Sequence, residues 1–488
     1  MEIKNLKASA TRLHGAISSG QHISFLGDCD VDGMTGLMIV IDGMAMLGYK
    51  NYDILPYDNR EHNVNWKFKD FVYRNDSELA VIIDTGSGEK DLEEILTISK
   101  YADVIVGDHH QLQYAQSRMP ENLYYVNPTV NDQYPHLSGA CVMYEIFMEM
   151  VRLFYQQKEK IAENLLSFYA LSALYADSIY GDNLYCKQLY EKAQRAKRPT
   201  KYAFIERFNV SKRFCNFSLA PLINSSFRTE KFDIINKLFL SKHLLGLEER
   251  TRLVGDLQAV RGFTRTLTEE VSEKIQPQEV GPFNIIDLSG MLNQDGMISN
   301  KDIWNNKGVV ANRVASDTKS CVIAIVSKGN YYTISVRDYY NRDILKLFST
   351  LYSVGGHAPA FGGKMTFLEV MDLKTNLQRM ANRIPEKSKQ TVVDWDPDTL
   401  DIAEIAQQNE YHHSKDLILV RVQVKDMTLG WSPDWYQKTE RQFKLVVNEE
   451  AKEVYYFSMP KWFRGSEDSV LVHFYKSSRI GGEIVEHG

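Results

Sequence analysis

Three apolar runs in this chain each end on aspartate. HISFLGDCDVDG ends on Asp28, Asp30 and Asp32; LAVIIDTGSG on Asp84; ADVIVGDHH on Asp108, His109 and His110. A sixth carboxylate, Asp177, closes the apolar helical stretch in ALSALYADSIYGD. Carboxylate oxygens mixed with imidazole nitrogens suit Mn²⁺ or Mg²⁺ better than a sulfur-seeking metal. Two such ions about 3.5–4 Å apart activate a water and stabilise both oxygens of an in-line displacement at phosphorus. With no Ser or Cys nucleophile set among them, these residues point to phosphoester hydrolysis assisted by two divalent ions.

Plainer readings fail on spacing. DCDVDG matches the start of a calcium-binding EF-hand loop, but the twelfth position, which should be a bidentate Glu, is Ile39. One aspartate suffices to cap a helix starting near Met34; three in alternation repel one another and call for cations. DTGSGEK lacks the spacing of a phosphate-binding Walker loop. His412 and His413 in EYHHSKD read as solvated.

Short β-branched runs bounded by glycine read as buried parallel strands. In an open α/β sheet, ligands collect beyond the carboxyl ends of such strands. The expected architecture is α/β: a doubly wound parallel sheet over residues 1–186, a helical basic connector over 187–278, a smaller α/β domain over 279–384 and a β-rich, OB-like module over 385–488. At 488 residues the chain exceeds a single core, since these rarely pass about 250–300 residues. A net charge of -6 argues against a uniformly basic nucleic-acid coat and leaves room for a local groove. One basic stretch exists: Lys187 to Arg213 holds nine Lys or Arg against Glu191 and Glu206, either a solvated face or a phosphate track. Five cysteines without a CxxC pair favour a reducing compartment and argue against a disulfide framework or a thiolate zinc site. No secretory signal or membrane span is apparent, so a cytoplasmic protein is expected.

The order of motifs resembles the DHH phosphoesterase superfamily: DCDVDG, then VIIDTG, GDHH and a later isolated Asp. NPTVNDQYPHLSGACVMYEIF and LAPLINSSFR are similar to segments of its RecJ single-strand nuclease branch. KGVVANRVAS, SVRD and GGHAPAFGG are similar to the DHH-associated domain. The likeness covers roughly residues 20–370. It implies that Asp30, assisted by Asp28, binds one ion, that Asp84 bridges both, and that Asp32, His109 and Asp177 complete the second site. Asp108 and His110 would adjoin, with His110 orienting ligands or approaching the leaving oxygen. His357 would reach the scissile phosphate beside Gly355 and Gly356, with Arg337 as a second cation and Ser335 nearby. Arg228 and Arg313 would hold neighbouring phosphates.

The implied activity is hydrolysis of single-stranded DNA, 5′ to 3′, in a cleft between the two α/β domains, with a single-strand-binding or other replication or repair protein as partner and no membrane. The chain departs from the family pattern at Cys141, Leu222 and Phe227, and lacks Gly-Tyr-Gly after Asn59 and Arg60. Those positions bear on strand preference and end recognition. Rival readings are a short-oligonucleotide or cyclic-dinucleotide phosphodiesterase and a non-catalytic scaffold. Toward the C-terminus, Trp431, Trp435, Tyr436, Tyr455, Tyr456, Phe457, Trp462 and Phe463, with Lys461 and Arg464, read either as strand core or as a base-stacking platform.

Overall fold

The structure, a computed structural model, describes residues 3–487 except 131–136, 178–182, 197–198, 200–201, 203, 205–209, 244, 292–299, 387–390, 397–399, 411–416, 424–426, 433–439, 448–451, 457–468 and 477–479. It divides into two compact units: Met1–Ile223 with Ile235–Thr251 and Gln390–Gly488, and Asn224–Ile234 with Arg252–Lys389. Residues 187–278, expected as one connector, are thus shared between the units. Among the described residues no helix is long and apolar enough to cross a membrane.

The first unit is built on strands β1 (Ile23–Gly27), β2 (Tyr52–Ile54), β3 (Leu79–Ile83), β4 (Asp103–Gly107) and β5 (Leu123–Val126). All are parallel, in the order β2-β1-β3-β4-β5. The five residues of β3 are all buried, as a central parallel strand covered on both faces requires. On one face lies the helix Val31–Leu47, which packs against the helices Gly139–Phe154 and Glu159–Ala176. Its approach is close: a Cβ on Gly43 would stand 2.4 Å from the Phe147 ring. The N-terminal helix Leu6–Ser18 buries Leu6, Leu13 and Ala16, whereas Ile17, expected on that face, is only partly covered.

In the second unit, strands β6 (Gln278–Val280), β7 (Phe283–Asp287), β8 (Cys321–Lys328), β9 (Tyr331–Asp338), β10 (Val354–His357) and β11 (Ala360–Met365) form a mixed sheet ordered β10-β11-β9-β8-β7-β6. Strand β8 shows the period of two directly. Cys321, Ile323 and Ile325 pack with Phe348, Leu373 and Leu377, while Val322, Ala324 and Val326 pack with Val310, Val314 and Leu267 on the other face. The long helix expected after residue 247 runs Leu247–Lys274 and supplies Leu267 and Val271 to that second core.

The C-terminal segment forms a single sheet from β12 (Thr391–Asp394), β13 (Ile418–Gln423), β14 (Met427–Ser432), β15 (Glu440–Val447), β16 (Lys452–Tyr456), β17 (Ser469–Lys476) and β18 (Ile480–His487). The order is β12-β13-β17-β18-β16-β15-β14. Strand β12 occupies a stretch expected as linker. The sheet belongs to the first unit and is tied there through buried Asn409 and Glu410. Asn409 Nδ2 donates to the carbonyls of Ile418 (3.1 Å) and Phe474 (2.9 Å). Glu410 accepts the Lys212 amide at 2.7 Å on its carboxylate and the Tyr175 hydroxyl at 3.2 Å on its carbonyl. Trp435, Tyr436, Phe457, Lys461, Trp462, Phe463 and Arg464 lie outside the described residues, as do His412 and His413.

Two members of the basic stretch have intramolecular partners. Lys192 pairs with Glu163 at 2.9 Å; Arg213 stacks 4.1 Å over the Tyr475 ring and faces Glu483 at 3.7 Å.

Candidate metal centre

The register of the parallel sheet sets the centre. Ile83 pairs with Gly27 on one side and Gly107 on the other, so β1, β3 and β4 end level. The next residue on each is aspartate: Asp28, Asp84 and Asp108. Each backbone amide donates onward to the neighbouring strand, Asp28 to the Ile83 carbonyl at 3.1 Å, Asp84 to Gly107 at 2.9 Å and Asp108 to Val126 at 3.1 Å. The carboxylates therefore leave one sheet edge side by side. Asp84 holds a left-handed backbone, φ 64°, a conformation Asp adopts more readily than most side chains.

Two groups of three ligands meet there, the candidate atoms of each lying within 4.8 Å of one another: Asp28, Asp30 and Asp84, and Asp32, His109 and Asp177. His109 Nε2 stands 3.1 Å from Asp84 Oδ1, 3.4 Å from Asp177 Oδ2 and 3.6 Å from Asp32 Oδ2, which sets Asp84 between the groups. Further donors hold the carboxylates in place. Asp30 caps the helix Val31–Leu47 through the Gly33 amide at 3.1 Å. Asp32 accepts the Gly139 amide at 2.7 Å and the Ala140 amide at 2.8 Å, from the start of the helix Gly139–Phe154. Gly139 is required by contact, since a Cβ there would lie 2.4 Å from Asp84 Cβ.

Asp108, whose carboxylate lies within 4.8 Å of the ligand atoms of Asp84 and His110, organises the histidines. It accepts the His109 amide at 2.7 Å, His110 Nδ1 at 2.8 Å and the Ser87 hydroxyl. Burial would raise its pKa, but the His110 ring beside it outweighs that and holds Asp108 below the usual carboxylate range. Burial likewise opposes charge on His110, and Asp108 overcomes it, lifting His110 to about 10.

The other carboxylates behave oppositely. Desolvation, then repulsion from Asp28 and Asp177, pushes Asp30 up to about 6; desolvation, then repulsion from Asp177 and Asp30, raises Asp32, and desolvation, then repulsion led by Asp32, raises Asp84. Asp28 Oδ1 and Asp84 Oδ1 are buried without a hydrogen bond in the protein. A crowd of buried, mutually repelling oxygen acceptors is the donor set that hard divalent cations satisfy.

Residues not singled out from sequence also reach the centre. His62 Nδ1 lies 2.7 Å from Asp28 Oδ2, and Tyr57 donates to the Asp28 carbonyl at 2.8 Å. His62 sits in a loop without periodicity, and only the mismatch after Asn59 and Arg60 marked that segment.

In the second unit, the ladder gathers four expected residues on one face. His357 pairs with Ala360, which pairs with Arg337; Gly355 pairs with Gly362, which pairs with Ser335. Directly opposed residues share a face, so His357, Arg337, Gly355 and Ser335 lie together, opposite the core-facing Ile334 and Val336. Gly356 points the other way, at φ 134° and with a would-be Cβ 2.8 Å from Phe361 Cα. The Arg337 guanidinium donates to the carbonyls of Val336 (2.7 Å) and Phe361 (3.4 Å), and desolvation lowers its pKa to about 10. Arg228 ends the helix Ala220–Arg228. Arg313, half-exposed on the helix Asn300–Thr318, pairs with Asp317 one turn on, so its guanidinium is already engaged.

The model of the DHH family, N-terminal domain, matches residues 22–173. The single-stranded-DNA-specific exonuclease RecJ of Bacillus subtilis is 22% identical over 406 residues, spanning 78% of this chain and 48% of that protein. The RecJ of Thermus thermophilus is 23% identical over 404 residues, spanning 80% and 57%. The chain thus spans about half the length of these curated relatives. Crystal structures of Thermus RecJ in complex with Mn²⁺ and with Mg²⁺ superpose with TM-scores of 0.70 and 0.65, at 18% and 17% identity, over 100% of this chain and 72% and 70% of theirs. Residues 22–173 are a DHH-family domain, and the chain that carries them is RecJ-like in fold.

Proposed function

We propose that this chain is a phosphodiesterase using two divalent ions, Mn²⁺ or Mg²⁺, to hydrolyse single-stranded DNA, as a 5′-to-3′ exonuclease. The observation that carries the reading is the pair of three-ligand groups, Asp28–Asp30–Asp84 and Asp32–His109–Asp177, meeting at Asp84. The DNA substrate and its polarity rest on the likeness to RecJ.

When bound, the ion pair supplies an activated water and neutralises charge at phosphorus. The chain's own residues do the rest. Asp28, Asp30 and Asp84 would hold one ion and Asp32, His109 and Asp177 the other. The Gly139 and Ala140 amides fix Asp32, so its carboxylate needs no rearrangement to serve. Asp108 clamps the backbone and ring of the histidine pair, keeping His109 aimed at Asp84 and leaving His110 a protonated donor for a phosphate or leaving oxygen. His357 and Arg337, on one sheet face, would offer an imidazole and a guanidinium to non-bridging phosphate oxygens.

The test is digestion of end-labelled single-stranded and duplex DNA with Mn²⁺ or Mg²⁺. Processive loss of a 5′ label from single strands alone is the expected result. Cleavage confined to dimers and trimers would move the assignment to a short-oligonucleotide phosphodiesterase. No metal-dependent cleavage would leave a non-catalytic protein.

A further inference from the structure

At the edge of the centre stands a second kind of donor set. Cys29, Asp28 and His62 offer one sulfur, one oxygen and one nitrogen, all within 4.8 Å of one another. Cys29 Sγ is 3.8 Å from His62 Nδ1 and Nε2, and His62 Nδ1 is 2.7 Å from Asp28 Oδ2. Tetrahedral zinc, with Zn–S of about 2.3 Å and Zn–N of about 2.0–2.1 Å, sets its ligand atoms about 3.3–3.6 Å apart. Sulfur and imidazole stand close to that spacing, whereas His62 Nδ1 and Asp28 Oδ2, hydrogen-bonded at 2.7 Å, must part by roughly half an ångström or more. Nothing like this set occurs in the two groups around Asp84, which hold only oxygen and imidazole.

We propose that Asp28, Cys29 and His62 form a third cation site, selective for a thiophilic divalent ion such as Zn²⁺. The sequence argued against a thiolate zinc site because no cysteines pair along the chain, but one cysteine suffices when a histidine and a carboxylate fold against it. Cys29 is buried, while 49% of the His62 side chain is exposed, so the site has a path to solvent through the imidazole. Binding replaces the hydrogen bond between His62 and Asp28 with bonds to the ion; the thiol and the imidazole that bonded Asp28 each release a proton to solvent.

The site has a consequence for the neighbouring centre, resting on the two-ion reading above. Asp28 belongs to both donor sets, so an ion held by Cys29 and His62 draws the Asp28 carboxylate from the Asp28–Asp30–Asp84 group. Zinc would then inhibit cleavage supported by Mn²⁺, without displacing Mn²⁺ from the Asp32–His109–Asp177 group.

Cd²⁺ titrated into the metal-free protein reads the site directly, because a thiolate–cadmium pair absorbs in the near ultraviolet and a carboxylate–cadmium pair does not. One equivalent of this band is expected, absent in Cys29→Ser and shifted at least about 10-fold to higher Cd²⁺ in His62→Ala. No band in the wild type, or a band unchanged in Cys29→Ser, overturns the proposal, since it would then belong to another cysteine or to none. An unshifted His62→Ala titration overturns it too, and this half-exposed side chain can be removed without disturbing the core. In cleavage assays, Cys29→Ser should keep its Mn²⁺-supported rate and resist Zn²⁺; equal inhibition of both proteins overturns the regulatory part. A protein that shows the band but never cleaves DNA would retain the third site while refuting the proposed function.

Discussion

At the residue scale, the centre depends on a few atoms with no substitute. Asp84→Ala removes the carboxylate between the two ligand groups and should abolish turnover, while single-stranded DNA binding measured by fluorescence anisotropy stays within a few-fold. His357→Ala should lower kcat by about 10²–10³-fold with both ions still bound by calorimetry; an unchanged rate would remove His357 from the site. Gly139→Ala forces a methyl against Asp84 Cα and Cβ, at 2.6 and 2.4 Å. Backbone cannot yield there as a flexible side chain would, so the variant should lose about 1–3 kcal/mol of stability in urea melts and most of its metal affinity. The aspartates were legible because each follows a β-branched run whose period identifies a strand. Gly139 and His62 were not, because their roles come from contacts across 107 and 34 residues of chain that no local pattern encodes.

At the element scale, strand β17 carries a group sensitive to acid. Desolvation, with Lys212 and Arg213 adding repulsion, depresses the His473 pKa to about 3. The unfolded chain takes up this proton near pH 6.5 and the folded chain does not, so the contribution is complete above that pH and is lost as the pH falls toward 3. Stability should drop by up to about 1.4 kcal/mol per pH unit in this window. Urea melts of wild type and His473→Gln at pH 7 and pH 5 check it: the wild type should lose more on acidification, and equal losses would refute the assignment. The strands themselves were readable, with QFKLVV of the expected QFKLVVN inside β15 and SVLVHFYK as β17. Their partners were not. The charges of the basic stretch were plain in sequence, yet Glu163 and Glu483 answer them from distant segments, so a run that suggested a phosphate track has already spent Lys192 and Arg213 inside the protein.

At the scale of the whole molecule, the buried carboxylates of the centre oppose folding until cations arrive. Saturating Mn²⁺ should therefore raise the thermal midpoint; a ligand at 100 times its dissociation constant adds about 2.7 kcal/mol. Differential scanning fluorimetry should show this rise, its reversal by a chelator and its loss in Asp84→Ala. The α/β sheets were legible from alternation and glycine boundaries, whereas the membership of the last hundred residues was not, because Asn409, Glu410 and Lys212 meet only in three dimensions. That junction bears on how the molecule can be dissected. A fragment stopped at residue 389 would forfeit the acceptor for the Lys212 amide and lay bare the Tyr175 hydroxyl beneath it. The C-terminal strands thus behave as flooring under the DHH-family domain, and a minimal fragment cut at that point should fail as a soluble protein before its chemistry can be assayed.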